Sequence, residues 1–589
     1  MSDTTTTLER YKSAREPIPT KMLRWHLYGA GLENFGIDGA PEEVEVPTIG
    51  PSELLVRQDA CGLCFSDTKV IGLGENHPRM SGRTLASDPV TLGHEVSITV
   101  VEVGDAIKER FSIGERFVVQ ADVFYKGVSM AYGYAISGGL AEYSVIPTPV
   151  IDGDEGCYLL PIKQDTGYVE SALTEPWACV VSAYAQSHRD GIKNGGRTLV
   201  VLADGGAISA SRLYTLFAGD HNPAHIVAVE LSTSATIAAI TLPDGNSVPI
   251  TVAEPADWSL SESWKSLSPD AGAGFDDILI LGAALPEQIE AVSTALANHG
   301  ILVLLSDTPV SRKLSLDIGR IHYNWHHYLG AASLEAETIY REPRTADLLA
   351  GGLTWIIGAG GPMGQMHVQR AVLHKNPPRR IVCTDVDVER LASVADRFGK
   401  IAAERGVDLV TLNPKVLGNE AFNSEIERLG EEHGYDDILS MVPVAALIEH
   451  AADYLAVGGW FNIFAGVARG TMAKLDVNRI IKDGVRFLGS SGSSLADMRN
   501  TLARVEEGDL STNASLAAIG GMGAAKEGLQ AVKEGWFPGK TLIFPLIHDL
   551  PLTPLPRLAT TLPSVFALLK DGKFWTKEAE EELLRIYSK

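Results

Sequence analysis

No apolar run in the 589 residues approaches the roughly 20 needed to carry a helix across a bilayer. The polar, threonine-rich start, Met1 to Pro19, also lacks the apolar core of a signal peptide. Both absences predict a soluble chain in the cytoplasm. Cysteine is scarce: Cys61, Cys64, Cys157, Cys179 and Cys383 are the only five, too few and too scattered for a disulfide framework, and reduced thiols suit that compartment. Positive charge is short as well. Fifty Lys and Arg against 74 Asp and Glu leave a formal charge of -24, which argues against nucleic acid or an anionic membrane as a general partner, because both need a basic surface to release counterions. A small anionic substrate stays compatible with that charge, since Arg79, Arg83 or Lys126 would make a local positive patch.

What is present begins with length. At 589 residues and 45% hydrophobic content the chain predicts about three or four domains with buried cores. Its chemistry gathers between Ala60 and Glu95. Ala-Cys-Gly-Leu-Cys-Phe-Ser-Asp ends at Asp67, Thr-Leu-Gly-His-Glu ends at Glu95, and Leu-Thr-Glu-Pro-Trp later supplies Glu175. Cys64, His94, Glu95 and Glu175 are candidate metal ligands. A mixed thiolate, imidazole and carboxylate set suits zinc and, unlike four cysteines, leaves a position open for water or substrate. Cys61-x-x-Cys64 also has the spacing of a redox pair, but no thioredoxin-like context surrounds it.

Read in order, residues 1–20 are expected to be a flexible tail, and residues 21–195, with short Val/Ile-rich runs between Gly and Pro, a small barrel-like β domain. A helix is expected from Cys64 to Ile71, with Ser66 or Asp67 near its start, another from Glu175 to His188, and a last one, a surface amphipath, from Lys577 to Tyr587. From Arg197 strands alternate with helices, the pattern of a parallel sheet: strands at Thr198 to Ala203, His225 to Val229, Asp277 to Leu281 and Ile301 to Leu305, with helices running to Gly219 and over Pro286 to Asn298. The pattern then repeats. Asp436-Asp-Ile-Leu439 matches Asp276-Asp-Ile-Leu279 at an offset of 160, Leu475-Asp476 matches Leu316-Asp317 at 159, and Gly360-Gly361 matches Gly205-Gly206 at 155. Offsets this steady predict a duplicated domain, 196–340 and 341–499. The tryptophan-histidine cluster at His322 to Tyr328 matches the plain Ile481 to Phe487, so it is read as core or interface rather than a second metal site.

In the second copy a strand, Leu353 to Ile357, runs into Gly358-Ala-Gly-Gly-Pro-Met-Gly364, a helix, and a strand, Arg380 to Thr384, ending in Asp385. Such a turn lets backbone N–H groups and a helix N-terminus approach a pyrophosphate, and the acidic residue bonds the ribose. Gly358, Gly360, Gly361, Pro362, Met363, Gly364, Asp385 and Arg390 are therefore the candidate dinucleotide residues. The carboxylate of Asp385 favours NAD over NADP, whose 2′-phosphate it would repel. The turn is one residue longer than Gly-x-Gly-x-x-Gly, so either it bulges or Ala359 takes the first position. In the first copy Ala203, Asp204 and Ser209 replace Gly358, Ala359 and Gly364. Asp204 would face the pyrophosphate, and that copy is expected to have lost its nucleotide.

Cys-x-Ser-Asp at Cys64, Gly-His-Glu at Gly93, Val-Gly-Asp at Val103, Ile-Gly-Glu-Arg-Phe-Val-Val at Ile113, Gly-Gly-Leu-Ala-Glu-Tyr at Gly138 and Glu-Pro at Glu175 follow one another as in the zinc-dependent medium-chain dehydrogenases. The chain resembles their sorbitol dehydrogenase-like branch over about Leu23 to Tyr184 and the C-terminal portion. The resemblance implies an α/β architecture: a GroES-like, β-barrel-type catalytic domain, completed by residues 500–589, plus two tandem Rossmann-like doubly wound domains. It implies hydride transfer between NAD and a secondary alcohol of a polyol or sugar derivative, with Ser66 receiving the substrate proton. Glu95 and Glu175 compete to be the direct ligand and the one acting through water. Lys69 replaces a relay histidine, and the absence of a cysteine cluster between Glu115 and Gly138 implies one catalytic zinc and no structural zinc. Family dimers join through the last strands of their nucleotide domains. The equivalents here, Tyr328 to Ala332 and Phe487 to Ser491, suggest an internal pseudo-dimer in which the first repeat covers an exposed edge. A homo-oligomer, or an inserted spacer, is the alternative. A threonine- or simple-alcohol dehydrogenase, and a non-catalytic dinucleotide sensor or scaffold, remain the competing functions.

Overall fold

The computed structural model describes residues 7–14, 16–80, 82–205, 216–217, 221–231, 250–253, 257–268, 273–332, 339–341 and 344–587. The chain divides into two compact units: Met1–Ser182 with Gly361–Met366 and Gly492–Lys589, and Ala183–Gly360 with His367–Ser491.

The first unit is built on Leu54–Leu63, a ten-residue strand buried along its whole length. It pairs antiparallel with Glu95–Val103, with Tyr143–Ile146 and with Lys540–Phe544, and the last of these lies parallel to Leu516–Gly521. The chain thus returns after the α/β region to add strands to the sheet it began. A strand enclosed on both faces must satisfy any polar side chain it carries. Arg57 donates to Asp59 at 2.8 Å through Nε and to the Tyr11 carbonyl at 2.8 Å through Nη1, while its guanidinium lies 3.7 Å from the Tyr11 ring centroid. The Tyr11 hydroxyl donates to Asp59 at 3.0 Å.

This network corrects the expected tail. Thr7–Lys12 is a helix, and Tyr11 is buried because it completes the solvation of Arg57 and Asp59. The closing helix, Lys577–Tyr587, has the expected bounds but not the expected plain surface role. Buried Glu580 accepts the N–H groups of Tyr168 and Val169, each at 2.7 Å, and so caps the helix Tyr168–Ala172. The helix opening at Thr174 ends at Ala183, short of His188. Tyr184 instead turns into the second unit's core, where its hydroxyl meets His367 Nδ1 at 2.6 Å.

The second unit holds two parallel six-stranded sheets with the same order, third-second-first-fourth-fifth-sixth. In the first repeat the strands are Arg197–Leu202, His225–Glu230, Ile250–Ala253, Phe275–Leu281, Leu296–Leu305 and His327–Ala331. In the second they are Leu353–Ile357, Arg380–Thr384, Asp408–Leu412, Tyr435–Ser440, Leu455–Ile463 and Arg486–Gly489. The order is that of a doubly wound dinucleotide-binding fold. One expected helix is too long: it spans only Pro286–Ser293, because Leu296 already pairs with Phe275 as a strand residue. The first-copy helix to Gly219, Gly206 and Ser209 fall largely or wholly outside the described residues.

The repeated Asp-Asp pair has the same work in both copies. Asp276 accepts the Arg197 N–H at 2.9 Å and Asp436 the Leu353 N–H at 2.8 Å, each fixing the start of its first strand. Asp277 is paired with Arg189, and Asp437 with Arg344. Arg320 and Arg479 likewise donate to equivalent carbonyls, those of Leu296 and Leu455.

The repeats pack by a rule of exchange. Strand Leu314–Asp317 pairs antiparallel with Met472–Leu475, matching Leu314 to Leu475 and Leu316 to Ala473, which are the same two positions swapped between copies. A Cβ on Gly330 would lie 2.8 Å from Ile481, and one on the equivalent Gly489 2.6 Å from His322, the equivalent of Ile481. Such reciprocity is the mark of a two-fold interface. The last strands of the two sheets, His327–Ala331 and Arg486–Gly489, come into contact, and one hydrophobic core runs through both repeats. His322 bonds the Ile463 carbonyl at 3.0 Å through Nδ1, in keeping with an interface role.

Two outcomes follow from this packing. Gly489→Val and Gly330→Val each force a side chain into the opposite repeat and are expected to cost about 1 to 3 kcal/mol by overpacking, read as a lower thermal midpoint. An unchanged midpoint in both would contradict the packing. The Glu580 carboxyl is pushed from its ordinary 4.5 up to about 7, by burial first, against the pull of its two backbone donors. The folded state therefore binds the extra proton between those values. Glu580 should lower stability progressively as pH rises from about 4.5 to about 7, and Glu580→Gln should flatten that part of the stability profile.

Candidate metal centre

Register places the donors. Cys64 follows the end of the long strand and sits at the N-cap of the helix Phe65–Leu73. His94 and Glu95 enter the antiparallel neighbour, where Glu95 stands opposite Gly62. The missing side chain there is required: a Cβ on Gly62 would fall 2.2 Å from Glu95 Oε2. One donor atom from each of Cys64, His94 and Glu95 lies within 4.8 Å of the others, and this is the one such group of three or more among the described residues.

The surroundings orient these donors. Fully buried Asp67 accepts the Cys64 N–H through Oδ2 at 2.9 Å and meets His94 Nδ1 through Oδ1 at 3.2 Å. It holds the imidazole so that Nε2 is left for a ligand. Glu95 Oε1 lies 2.5 Å from Lys540 Nζ, which also donates to the Leu63 carbonyl at 3.0 Å. The second oxygen, Glu95 Oε2, is buried and has no hydrogen-bond partner. A buried carboxylate oxygen without a donor is costly, and a cation held with Cys64 and His94 would satisfy it. The donor set therefore fits a metal of zinc type. Burial opposes a charge on His94, but Tyr134 and Asp67 outweigh it and raise its pKa well above the usual histidine value. A bound cation would supply that positive charge instead.

Glu175 stands in the first turn of the helix Thr174–Ala183, buried, outside the three-donor group. Its carboxyl is pushed up to about 7, by burial first, with His94 opposing and Glu95 and Asp122 adding. Ser66 is half-buried in the first turn of its helix, between exposed Phe65 and Lys69. Cys61 is a free, fully buried thiol whose pKa is raised well above the usual value by burial, unlike a redox-active partner for Cys64. Arg83 is engaged by the Ala135 carbonyl at 2.7 Å and by Asp88. Lys126 lies on a two-strand hairpin beside Tyr125.

In the second repeat Gly358 has φ +76°, and the helix Pro362–Leu373 begins four residues later, taking in Met363 and Gly364. Gly358 and Ala359 both donate to the Thr384 carbonyl, at 2.8 and 3.1 Å, which ties the start of the turn to the end of the neighbouring strand. Asp385 Oδ2 accepts the Gly360 N–H at 3.0 Å, and a Cβ on Gly360 would lie 2.6 Å from Arg390 Cβ. In the first repeat Asp204 is exposed and its backbone bridges to Ala283.

A candidate mixed-donor metal site in a β-sheet domain, with doubly wound repeats in the same chain, is the combination expected of the two-part, dinucleotide-linked oxidoreductases. The alcohol dehydrogenase GroES-like domain matches residues 50–151. Mannitol-1-phosphate 5-dehydrogenase of Aliivibrio fischeri is 24% identical over 92% of this chain and 94% of its own length. The uncharacterized protein YggP of Escherichia coli is 30% identical over 49% of this chain and 70% of its own, and L-sorbose 1-phosphate reductase of Klebsiella pneumoniae 28% over 49% and 72%. Among solved structures, 2R,3R-butanediol dehydrogenase from Bacillus subtilis aligns with a TM-score of 0.48 at 16% identity, covering 89% of this chain and 99% of that one. The chain belongs to the alcohol dehydrogenase family that carries the GroES-like domain and is an oxidoreductase.

Sequence reasoning did not assign Asp67 its part in holding His94, although the Cys-x-Ser-Asp motif contains it. Lys540 gave no local signal, lying 445 residues from Glu95. Asp67→Asn removes the acceptor that orients His94 and is expected to weaken zinc binding about 10- to 100-fold, measured by competition with a chromophoric chelator. Unchanged affinity would show that Asp67 does not position the ligand.

Proposed function

We propose that the protein interconverts a secondary alcohol and a ketone in a polyol, or in its phosphate ester, using NAD and a single zinc held by Cys64, His94 and a glutamate. The observation that carries this reading is the orphaned Glu95 Oε2 beside Cys64 and His94, in a chain of this family. The names of the Aliivibrio and Klebsiella relatives support a phosphorylated sugar alcohol or ketose as the substrate type.

When bound, zinc would polarise the reacting oxygen and the nicotinamide would exchange the hydride. The chain's own part is orientation and charge. Asp67 fixes the His94 ring, and Lys540 neutralises Glu95 in a buried setting, leaving Oε2 for the ion. Glu175, with its affinity for a proton near neutrality, is suited to hold the water that shares the centre. Ser66, in the first turn of the adjoining helix, would take the substrate hydroxyl proton. The Gly358 to Gly364 turn would seat the pyrophosphate, with Asp385 toward the ribose and against a 2′-phosphate. Asp204 disfavours a nucleotide on the first repeat. That repeat is read as a substitute for a partner subunit, an internal pseudo-dimer, which the reciprocal packing supports.

The test is reduced-nicotinamide absorbance on mixing zinc-loaded protein, NAD and a panel of polyols and polyol phosphates. NAD-linked turnover is expected, and Cys64→Ser should lower kcat/KM at least about 100-fold together with zinc content. Full activity in zinc-free Cys64→Ser protein would overturn the reading.

A further inference from the structure

Two cationic side chains and an imidazole lie near the candidate metal donors in a chain of net charge -24. The Tyr134 ring, buried, lies 5.5 Å from the His94 ring. On the same aromatic sit the His77 ring, centroids 5.7 Å apart, and the Arg79 guanidinium, 5.3 Å from the centroid. Arg79 is therefore one aromatic ring removed from a candidate ligand. The third member is Lys69, whose ammonium lies 5.7 Å from the Phe65 ring on the helix that Cys64 caps. His77 is pushed below its usual pKa, by burial first and then by Arg79 and Lys69, which places both cations within electrostatic reach of it.

Arg79 differs from its neighbour Arg83. Arg83 spends its guanidinium on the Ala135 and Pro89 carbonyls and Asp88. Arg79 is paired with Asp122 at 2.5 Å, and its side chain remains 41% exposed and Asp122's 28%, so a solvent-borne anion has access to it. A planar fork with an imidazole on the same aromatic ring and a point charge on the adjoining helix suits a tetrahedral dianion better than a carboxylate, which a single bidentate arginine satisfies.

Resting on the function proposed above, we propose that Arg79, assisted by Lys69 and His77, binds the phosphate of a phosphorylated polyol and selects it over the free polyol. In this role Asp122 holds the guanidinium in place until the phosphate takes over its fork. Arg79 is a specificity-determining residue, and it transfers no proton or hydride.

The experiment compares kcat/KM for a hexitol and its terminal phosphate monoester, using the full zinc-loaded chain and its Arg79→Ala, Arg79→Lys and Lys69→Ala variants. In parallel, inorganic phosphate is titrated calorimetrically into wild type and Arg79→Ala. The wild type is expected to prefer the phosphate ester. Arg79→Ala should reduce kcat/KM for the ester about 10- to 100-fold more than for the free hexitol, mainly through KM, as loss of charge-assisted hydrogen bonds predicts. Arg79→Lys should recover part of the preference, and Lys69→Ala should lose a smaller part. Equal losses on both substrates, or a wild-type preference for the free hexitol, would overturn the phosphate role and leave the oxidoreductase reading intact. Phosphate binding that vanishes in Arg79→Ala, with neither substrate turned over, would support the anion site and overturn the proposed polyol function. Neither binding nor turnover would overturn both.

Discussion

The first unit depends on a buried ion pair between two segments at opposite ends of the chain. Glu95, at the entry of one strand, and Lys540, at the start of another, meet at 2.5 Å with side chains 0% and 5% exposed. Neither charge is tolerable alone in such a place, since breaking a buried pair leaves an uncompensated ion. The pairing also divides the labour of one carboxylate: one oxygen answers the lysine and the other is left over. The candidate donor Glu95 therefore has its charge partner once the C-terminal strand has joined the sheet.

The duplicated unit follows a different logic, in which stability comes from self-complementarity. Equivalent residues from the two copies exchange places across the interface, and the paired strands Leu314–Asp317 and Met472–Leu475 leave neither ribbon unpaired. The same aspartate pair anchors the first strand of each copy. The copies have diverged at the turn following that strand, where Ala203 and Asp204 of one stand against Gly358 and Ala359 of the other. On the reading proposed above, the second copy kept the nucleotide and the first kept the interface.

Much of this was legible in the sequence because it is local or periodic. The strands at Leu353–Ile357 and Arg380–Thr384 have the expected bounds, since continuous apolar runs between turn residues mark buried parallel strands. The steady offsets between copies are expressed as equivalent strands and equivalent hydrogen bonds. Cys64, His94 and Glu95 come together because motif spacing reflects the strand register that aligns Glu95 with Gly62. What was not legible is long-range and polar. Tyr11 looked like part of a tail because its reason for burial, Arg57 with Asp59, lies some 48 residues away. Glu580 looked like one charge among many on an amphipathic helix, although its partners are backbone N–H groups 411 and 412 residues earlier. No periodicity encodes such contacts.

The central claim is that a single ion is shared by a thiolate, an imidazole and a carboxylate. Zinc K-edge X-ray absorption on the zinc-loaded protein measures that coordination shell directly. The account predicts one sulfur at about 2.3 Å with the remaining ligands nitrogen or oxygen. A shell without sulfur, or one of several sulfurs, would contradict it.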